Sequence, residues 1–402
     1  MLLEGEIVIH HNFNKNLIIE LPKEKTWKNF SRVWGDSMHR ICSYVAMFSP
    51  SLADYFIQKY SEENDIVLDT FSGIGTTLLQ SRLLNRETYA IDLNPFAYVL
   101  SRAKSQSFKL NEVLIRIKYW EEKYCKDKKI YNLNNINNDL KVYYSEINLK
   151  QLVFIKENLG KNYNKISAID NFILAITLGL MHGPMKKNGE SIYFSLGMSN
   201  HTSMSVNYVR KYALKHNLKK PEDNIFEKIS NRVKRVLSKA HYCNKIANVK
   251  LGNALKIKDY FDIKPKLIFT SPPYLNLINY TRQNWLKMWI LGFDTNKDNK
   301  NIKLDDRHDL ETYKIFMKEY LLQISKICNK DTSVILVVGD ANNRKVCNYF
   351  DIMWDSIKIE IPLRLEETYE DSIIQKKKAT NSLGSKAGKA TRIDKIYVFK
   401  LK

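Results

Sequence analysis

The pattern of apolar and polar residues predicts alternating strands and helices. An apolar run at residues 65–70 is followed by a turn with two glycines, and residues 78–84 then carry leucines at helical spacing. Glu87–Asp92 has the pattern of a second strand, and Pro95 opens a second helix at an early position where proline is tolerated. This order of strand, helix, strand and helix favours an α/β fold with parallel strands.

Later parts of the chain continue this pattern after an interruption. Further strands are predicted at residues 248–252, 266–270, 332–339 and 395–400. The apolar run at 333–338 is continuous, as in a strand that is covered on both faces. Residues 172–181 are the most apolar helix candidate. We interpret residues 107–245 as an insertion into one catalytic domain formed by residues 1–106 and 246–402.

The turn after the first strand is the first sign of a ligand site. It contains Gly73 and Gly75, which allow the backbone to approach a ligand closely. Asp92 ends the next strand, where a carboxylate can hold ribose hydroxyls. A dinucleotide site would require a third glycine where this chain has Leu78. A ligand with a ribose but without a phosphate fits better, and a plain tight turn is the alternative.

A second candidate site, Thr270-Ser-Pro-Pro-Tyr274, follows directly on the strand at 266–270. Two prolines stop the strand ladder and stiffen the chain, and they contribute no N–H donor. A hydroxyl, free carbonyls and an aromatic ring on one rigid loop suit a planar ring with an exocyclic amine. The alternative is an ordinary proline turn with a packed tyrosine.

Together, Asp69-Thr-Phe-Ser-Gly-Ile-Gly-Thr76 and Thr270-Ser-Pro-Pro-Tyr274 resemble two motifs of the exocyclic-amino DNA methyltransferases. Members of this family use S-adenosylmethionine to methylate cytosine N4 or adenine N6. The resemblance implies an α/β, Rossmann-like methyltransferase fold with a mostly parallel sheet and an inserted, largely helical target-recognition region. The order of the motifs, with a long insertion between them, is similar to that of the family.

The resemblance also implies the site residues. Asn253 stands where the family often has Asp, and the segment 44–52 resembles the helix entry that closes over the methionine end of the cofactor. The implied cofactor-binding residues are Tyr44, Pro50, Asp69, Phe71, Gly73, Gly75, Thr76, Asp92, Leu93 and Asn253. The implied catalytic residues are Ser271, Pro272, Pro273 and Tyr274.

In the reaction expected here, the amine of a flipped-out base is itself the nucleophile. The Ser271 hydroxyl and the Pro272 carbonyl could accept hydrogen bonds from the N–H groups of the amine, and Tyr274 would stack on the base.

Ser at position 271 favours cytosine N4 over adenine N6 by family resemblance. Cysteine does not follow proline anywhere in the chain, which disfavours cytosine C5 methylation. The remaining alternatives are an RNA methyltransferase, a protein glutamine methyltransferase and an inactive DNA-binding protein with this fold.

The net charge of +21 favours a nucleic acid as partner, although a bias in genome composition could also raise the lysine content. Residues 205–250 contain twelve basic and three acidic residues, so the excess is concentrated in the insertion. A solvated helical face is the alternative for this stretch. The residues predicted to bind double-stranded DNA are Arg210, Lys211, Arg232, Lys234, Arg235, Tyr280 and Arg282. Trp285 and Trp289 have the spacing of a helical core stripe.

Other classes of protein are disfavoured. The longest apolar run is too short to span a membrane, and the first residues lack the pattern of a signal peptide. The five cysteines are scattered and form no CxxC pair, so neither disulfides nor a metal site are expected. We therefore expect a reduced, cytoplasmic location. A nuclease domain is not evident, and a separate restriction endonuclease could accompany the protein.

Overall fold

The computed structural model describes residues 9–10, 18–20, 35–44, 47–127, 131–134, 136–186, 190–199, 201–273, 280–293, 308–339, 349–372 and 393–402. These residues form one nine-stranded sheet. Its strands are β1 Ile9–His10, β2 Ile18–Glu20, β3 Ile66–Asp69, β4 Glu87–Asp92, β5 Asn248–Leu251, β6 Leu267–Thr270, β7 Ser333–Gly339, β8 Leu363–Ser372 and β9 Ile393–Leu401.

The strand order is β1-β2-β8-β9-β7-β6-β3-β4-β5. Strands β7, β6, β3, β4 and β5 are parallel neighbours, and β9 runs antiparallel between β7 and β8. The chain proceeds outward from β3 through β4 to β5, and then returns to the other side of β3 at β6. The carboxyl ends of β3 and β6 therefore flank the point where the strand order reverses, which is where open α/β sheets bind ligands. The prediction of an α/β fold with a mostly parallel sheet is confirmed.

The strands predicted from apolar patterning are all present, but β1, β2 and β8 were not predicted. The β8 sequence has charged residues at five of its ten positions, including Arg364, Glu366 and Glu370. A register shift between Leu365 and Glu367 also breaks the two-residue alternation along the strand. Because β8 pairs with β9 along nearly its whole length, tertiary pairing outweighs its weak local strand signal.

Helices cover both faces of the sheet and make up the insertion. They are α1 Pro50–Tyr60, α2 Thr76–Leu83, α3 Pro95–Ala103, α4 Leu110–Asp127, α5 Leu140–Tyr143, α6 Glu146–Ile155, α7 Ala168–Leu180, α8 Val206–Lys215, α9 Ile225–Leu237, α10 Ile257–Tyr260, α11 Tyr280–Gln283, α12 Trp285–Ile290, α13 Leu310–Ser325 and α14 Tyr349–Ile357. Short 3-10 turns lie at Ser37–Arg40 and Ala254–Lys256, and a π turn lies at Lys156–Gly160.

The largest hydrophobic core joins the inserted helices to the sheet through α3 and α7. Almost every side chain of α7 is buried, which explains why its sequence is apolar around the whole helix. Pro95 is at the start of α3, as predicted, and the Asn94 side chain caps this helix by accepting from the Phe96 backbone N–H at 3.0 Å. The domain boundaries at 106 and 246 stay a prediction. Among the described helices, none combines the length and apolar character needed to cross a membrane.

Candidate active site

A pocket opens at the carboxyl ends of β3, β4 and β6, where the strand order reverses. It brings together ten of the predicted residues, namely Tyr44, Phe71, Gly73, Thr76, Asp92, Leu93, Asn253, Ser271, Pro272 and Pro273. The two motifs, which are about 200 positions apart in the sequence, therefore face the same cavity. Pro50, Asp69 and Gly75 do not line it, and Tyr274 lies outside the described residues.

The turn after β3 is shaped by its two glycines. Gly73 and Gly75 have φ angles of 50° and 74°, in the left-handed region that favours glycine. A Cβ atom on Gly75 would lie 3.1 Å from the Ser101 Cα and Oγ atoms of α3, whereas one on Gly73 would meet no atom closer than 3.9 Å. Gly75 therefore allows α3 to pack against the start of α2, and Gly73 presents its backbone to the pocket.

Asp92 holds this turn with both oxygens of its carboxylate. One oxygen accepts from the Gly73 N–H at 2.7 Å and the other from the Asn94 N–H at 2.8 Å. Burial raises the pKa of Asp92 to about 6, although these two backbone donors oppose the shift. The carboxylate thus lies at the tip of β4, beside the turn and at the wall of the pocket.

Asp69 lies beneath the pocket, at the end of β3. Its Oδ1 atom accepts from the Thr270 hydroxyl at 2.7 Å and from the Phe71 N–H at 3.2 Å. Only 2% of the residue is exposed, and burial raises its pKa to about 7. The contacts of Asp69 are with the loops that carry the two motifs, which is the arrangement of a positioning residue.

The Ser-Pro-Pro segment follows directly on β6. The Ser271 hydroxyl donates to the Val337 carbonyl of β7 at 2.9 Å, which fixes the hydroxyl at the edge of the pocket. Pro272 is buried and Pro273 is half-buried, and neither has an N–H to donate. The two prolines can therefore offer only hydrogen-bond acceptors to the pocket.

The turn that contains Asn253 packs against the end of β4. The Gly252 N–H donates to the Asp92 carbonyl at 2.9 Å. Asn253 caps the following 3-10 turn by accepting from the Leu255 N–H at 2.9 Å. The Asn found in place of the family's usual Asp is therefore a working cap at the pocket wall.

The segment before α1 forms another wall of the pocket. The Tyr44 ring packs against the Phe96 ring at 5.5 Å, and its hydroxyl accepts from the Asn94 side chain at 3.5 Å. Met47 and Phe48, which were not among the predicted binding residues, also line the pocket. Pro50 begins α1 and faces Gly35.

Lys287 supports this wall and was missed by the sequence analysis. Its ammonium donates to the Ser43 carbonyl at 3.2 Å and to the Asn284 side chain at 3.3 Å. It also lies 5.1 Å from the centre of the Phe96 ring, and burial lowers its pKa. The available signal was a lysine inside the apolar sequence of α12, Trp285-Leu-Lys-Met-Trp-Ile290.

The residues predicted to bind DNA have different environments. Arg210 and Lys211 on α8, and Lys234 and Arg235 on α9, are exposed. Arg232 is half-buried, and its guanidinium donates to the Arg40 carbonyl. Arg282 is exposed on α11, whereas the side chain of Tyr280 lies outside the described residues.

Other candidate residues have structural partners. Trp289 is buried and Trp285 packs on the same core, as the helical stripe predicts. Burial lowers the pKa of His39 and of His182 to about 3, so each is neutral at physiological pH. Among the described residues, three or more His, Cys, Asp or Glu side chains nowhere form a group that could hold a metal ion.

Parts of the chain are similar to known methyltransferases. A family model described as DNA methylase matches residues 9–103. The chain is 24% identical to the type II methyltransferase M.BsoBI of Geobacillus stearothermophilus, over 65% of this chain and 54% of that protein. It is 26% identical to M.MvaI of Kocuria varians, over 59% of this chain and 53% of that protein.

The chain spans about half the length of these two relatives. It is also 30% identical to M.MjaII of Methanocaldococcus jannaschii, over 26% of this chain and 23% of that protein. Among solved structures, TrmN from Thermus thermophilus is similar with 10% identity and a TM-score of 0.32, over 89% of this chain and 50% of that chain. Over the matched residues, the chain is therefore similar to DNA methylases and to type II methyltransferases.

Proposed function

We propose that this protein transfers a methyl group from S-adenosylmethionine to the exocyclic N4 of a cytosine in double-stranded DNA. The observation that carries the proposal is that Ser271-Pro272-Pro273 and the glycine turn held by Asp92 line the same pocket. One cavity can thus bring together a cofactor with a ribose and a planar base with an amine. Adenine N6 is the alternative target.

The residues of the pocket fit the cofactor. Gly73 presents backbone without a side chain in the way, and the Asp92 carboxylate at the pocket wall would accept from ribose hydroxyls. Phe71 and Tyr44 offer apolar walls, and Asn253, which also lines the pocket, would contact the adenine. The bound cofactor supplies an electrophilic methyl group on a sulfonium, so the protein needs no covalent nucleophile.

The Ser-Pro-Pro segment would hold the amine of the target base. The Ser271 hydroxyl donates its hydrogen to the Val337 carbonyl. Toward the amine of the base, its oxygen would therefore act as a hydrogen-bond acceptor. The amine N–H groups could therefore donate to Ser271 and to the Pro272 carbonyl. These contacts favour a pyramidal nitrogen whose lone pair is less delocalised into the ring. The rate gain would come from this positioning and from fixed dipoles.

The target base must leave the helix to reach this pocket, because the amine of a paired base lies inside the duplex. Stacking of Tyr274 on the flipped base is part of the proposal, although Tyr274 lies outside the described residues. The exposed basic residues of the insertion would hold DNA phosphates. A cytoplasmic location and a separate restriction endonuclease as partner remain predictions.

Methylation of unmodified DNA tests the target base. The protein is incubated with DNA and labelled S-adenosylmethionine. The DNA is then digested to nucleosides, which are separated by liquid chromatography and identified by mass spectrometry. N4-methylcytosine is the expected product, and N6-methyladenine would favour the alternative. Absence of label from DNA, together with incorporation into RNA or protein, would overturn the proposal.

Ser271→Ala tests the catalytic loop. We expect kcat to fall by roughly 10²-fold, the loss that follows removal of one positioned polar contact in a reacting site. Binding of S-adenosylmethionine, measured by calorimetry, should be unchanged. Ser81→Ala is a matched control, because Ser81 is buried in α2 with an Oγ atom that has no hydrogen-bond partner among the described residues. Equal activity of the two variants would contradict this role for Ser271.

Asp92→Asn tests the cofactor half of the pocket. We expect the dissociation constant for S-adenosylmethionine to rise by about 10-fold to 100-fold, because a charge-assisted hydrogen bond is lost. DNA binding should be retained. Asp351→Asn is the control, since Asp351 accepts from Lys395 and Tyr397 away from the pocket. An unchanged dissociation constant in Asp92→Asn would contradict the assignment.

A further inference from the structure

One face of α8 carries exposed aromatic and basic side chains in alternation. Tyr208, Lys211, Tyr212 and Lys215 are spaced i, i+3, i+4 and i+7, so they are neighbours on the helix surface. We call these four residues the α8 stripe. Tyr208 is 49% exposed and Tyr212 is 40% exposed, and both lysines are exposed.

The two tyrosine rings are held in an ordered row. Their centroids are 5.9 Å apart and their planes differ by 11°. The His216 ring continues the row at 4.3 Å from the Tyr212 ring. Within α8 it is Val209 that is buried against the protein, so the stripe contributes little to the core. A row of exposed aromatic rings does not help solubility, and exposed apolar patches of this kind often mark interaction surfaces.

The charge around the stripe has one sign. Residues 201–221 contain five Lys or Arg residues and no Asp or Glu. An anionic partner would therefore meet no repulsion from this part of the chain. Basic side chains alternating with aromatic rings suit a nucleic acid, whose phosphates pair with the former and whose sugars and bases pack on the latter.

The position of α8 connects the stripe to the candidate active site. Ser203 precedes the helix, and its N–H donates to the Gln283 carbonyl of α11 at 2.6 Å. α11 begins six residues after Tyr274, in the chain segment that follows the Ser-Pro-Pro motif. The start of α8 is also held by the Tyr143 hydroxyl, which donates to the Met204 carbonyl at 2.7 Å.

The neighbouring helix α9 uses its basic residues differently. Lys228 donates to the Ser191 carbonyl at 2.8 Å and to the Tyr193 carbonyl at 3.0 Å, and Arg232 donates to the Arg40 carbonyl. The apolar face of α9 is buried in the core. The basic residues of α9 thus serve partly to hold the fold, whereas those of α8 face outward.

We propose that the α8 stripe binds the sugar-phosphate backbone of duplex DNA beside the target base. Lys211 and Lys215 would neutralise phosphates, and the rings of Tyr208 and Tyr212 would pack on the sugars. The inference rests on the proposed function, since it names the surface on which the DNA substrate of that active site lies. It identifies two tyrosines and Lys215 as DNA contacts in addition to the basic residues named above.

Salt dependence of DNA binding tests the lysines. Each phosphate contact contributes about 0.9 to the slope of log K against log salt. Lys211→Ala/Lys215→Ala should therefore reduce the slope by about 1.8 and weaken binding at 0.1 M salt by roughly 10-fold to 100-fold. Lys264→Ala/Lys330→Ala is a charge-matched control. Both lysines are exposed near the amino ends of β6 and β7, whereas the pocket lies at the carboxyl ends of the strands.

The tyrosines should give a different signature. Tyr208→Ala/Tyr212→Ala should weaken binding by about 10-fold at every salt concentration without changing the slope, because ring contacts release no counterions. Tyr208→Phe/Tyr212→Phe should bind like the wild-type protein. Circular dichroism and thermal unfolding verify that each variant is folded.

Two outcomes separate this inference from the proposed function. If the wild-type protein methylates DNA and the α8 variants keep both its affinity and its salt slope, the α8 stripe is not the DNA surface, although the proposed function stands. If the wild-type protein neither binds nor methylates duplex DNA, the proposed function itself fails. Stronger competition by RNA of equal length than by DNA would also overturn the inference.

Discussion

The Thr270 hydroxyl donates to Asp69 Oδ1 across 2.7 Å and so joins the carboxyl ends of β3 and β6. The Phe71 N–H lies between the two side chains and donates to both, at 3.2 Å to Asp69 and at 3.0 Å to Thr270. Each residue immediately precedes a loop of the pocket. The glycine turn after β3 and the Ser-Pro-Pro segment are therefore positioned by one hydrogen-bonded group at their base.

We expect Thr270→Val to lower the free energy of unfolding by about 1–3 kcal/mol, because the buried Asp69 carboxyl loses its hydroxyl donor while the side-chain volume is kept. Urea denaturation measures this change. Thr177→Val is the matched control, since the Thr177 hydroxyl is also buried but donates only within α7, to the Ile173 carbonyl. Its loss should stay below about 1 kcal/mol. Equal losses in the two variants would contradict a special role for the Asp69–Thr270 pair.

The pKa of Asp69 predicts how stability varies with pH. Burial raises this pKa to about 7 in the folded protein, whereas an unfolded aspartate titrates near 4. The folded state therefore binds the proton more tightly, and the resulting stability is present below pH 4 and is lost as pH rises to about 7. Asp69→Asn should remove this dependence, because Oδ1 accepts both observed hydrogen bonds and an amide oxygen can do the same.

The measurement is the unfolding free energy of both proteins from pH 4 to 8. The difference, variant minus wild type, should rise by up to about 1.4 kcal/mol for each pH unit between pH 4 and 7. Asp92, whose pKa is also raised by burial, contributes to both proteins and cancels. A difference that is flat over this range would show that Asp69 titrates at its ordinary pKa.

Substitution by alanine should destabilise the protein to different extents at Gly73 and Gly75, the two glycines of the turn after β3. Both have positive φ angles, so each substitution strains the backbone by roughly 1–2 kcal/mol. Gly75→Ala also places a Cβ atom 3.1 Å from Ser101, which adds about 1–3 kcal/mol of overpacking, whereas Gly73→Ala meets only ordinary contacts. Thermal and urea unfolding of the two variants compare these terms. A Gly73→Ala variant as unstable as Gly75→Ala would argue against crowding by α3.

The sequence predicted the parts of this molecule in which local pattern and tertiary structure agree. The β4 strand and the start of α3 lie where predicted, because an apolar run and a proline determine them locally. Ten predicted residues also line one pocket, because all of them except Tyr44 lie at or just after the carboxyl ends of neighbouring parallel strands.

What escaped prediction depends on long-range contacts. The charged β8 strand is stabilised by pairing with β9, and a bulge obscures its alternation. The contacts of Asp69 beneath the pocket were not predicted either, because the sequence does not reveal which way a side chain at a strand end points. Lys287 lies more than 240 residues from Ser43, the residue whose carbonyl it contacts.

Lys287→Met separates the role of this lysine in the pocket wall from its role in folding. The methionine can fill the same space beside Phe96, and relief of a buried ammonium offsets the hydrogen bonds that are lost, so stability should change by less than about 1 kcal/mol. The Ser43 carbonyl loses its donor, and the adjacent Tyr44 wall should loosen. The dissociation constant for S-adenosylmethionine should then rise by about 3-fold to 10-fold, as measured by calorimetry.

Lys228→Met is the matched control for this prediction. Like Lys287, Lys228 holds a backbone carbonyl from a largely buried position: it donates to the Ser191 and Tyr193 carbonyls and pairs with Asp223. None of these three partners lines the pocket. Its substitution should therefore affect stability without changing the affinity for the cofactor. If both variants weaken cofactor binding equally, the effect is a general loosening of the fold. If only Lys287→Met does so, a lysine on the helix pair that follows the Ser-Pro-Pro segment supports the opposite wall of the pocket.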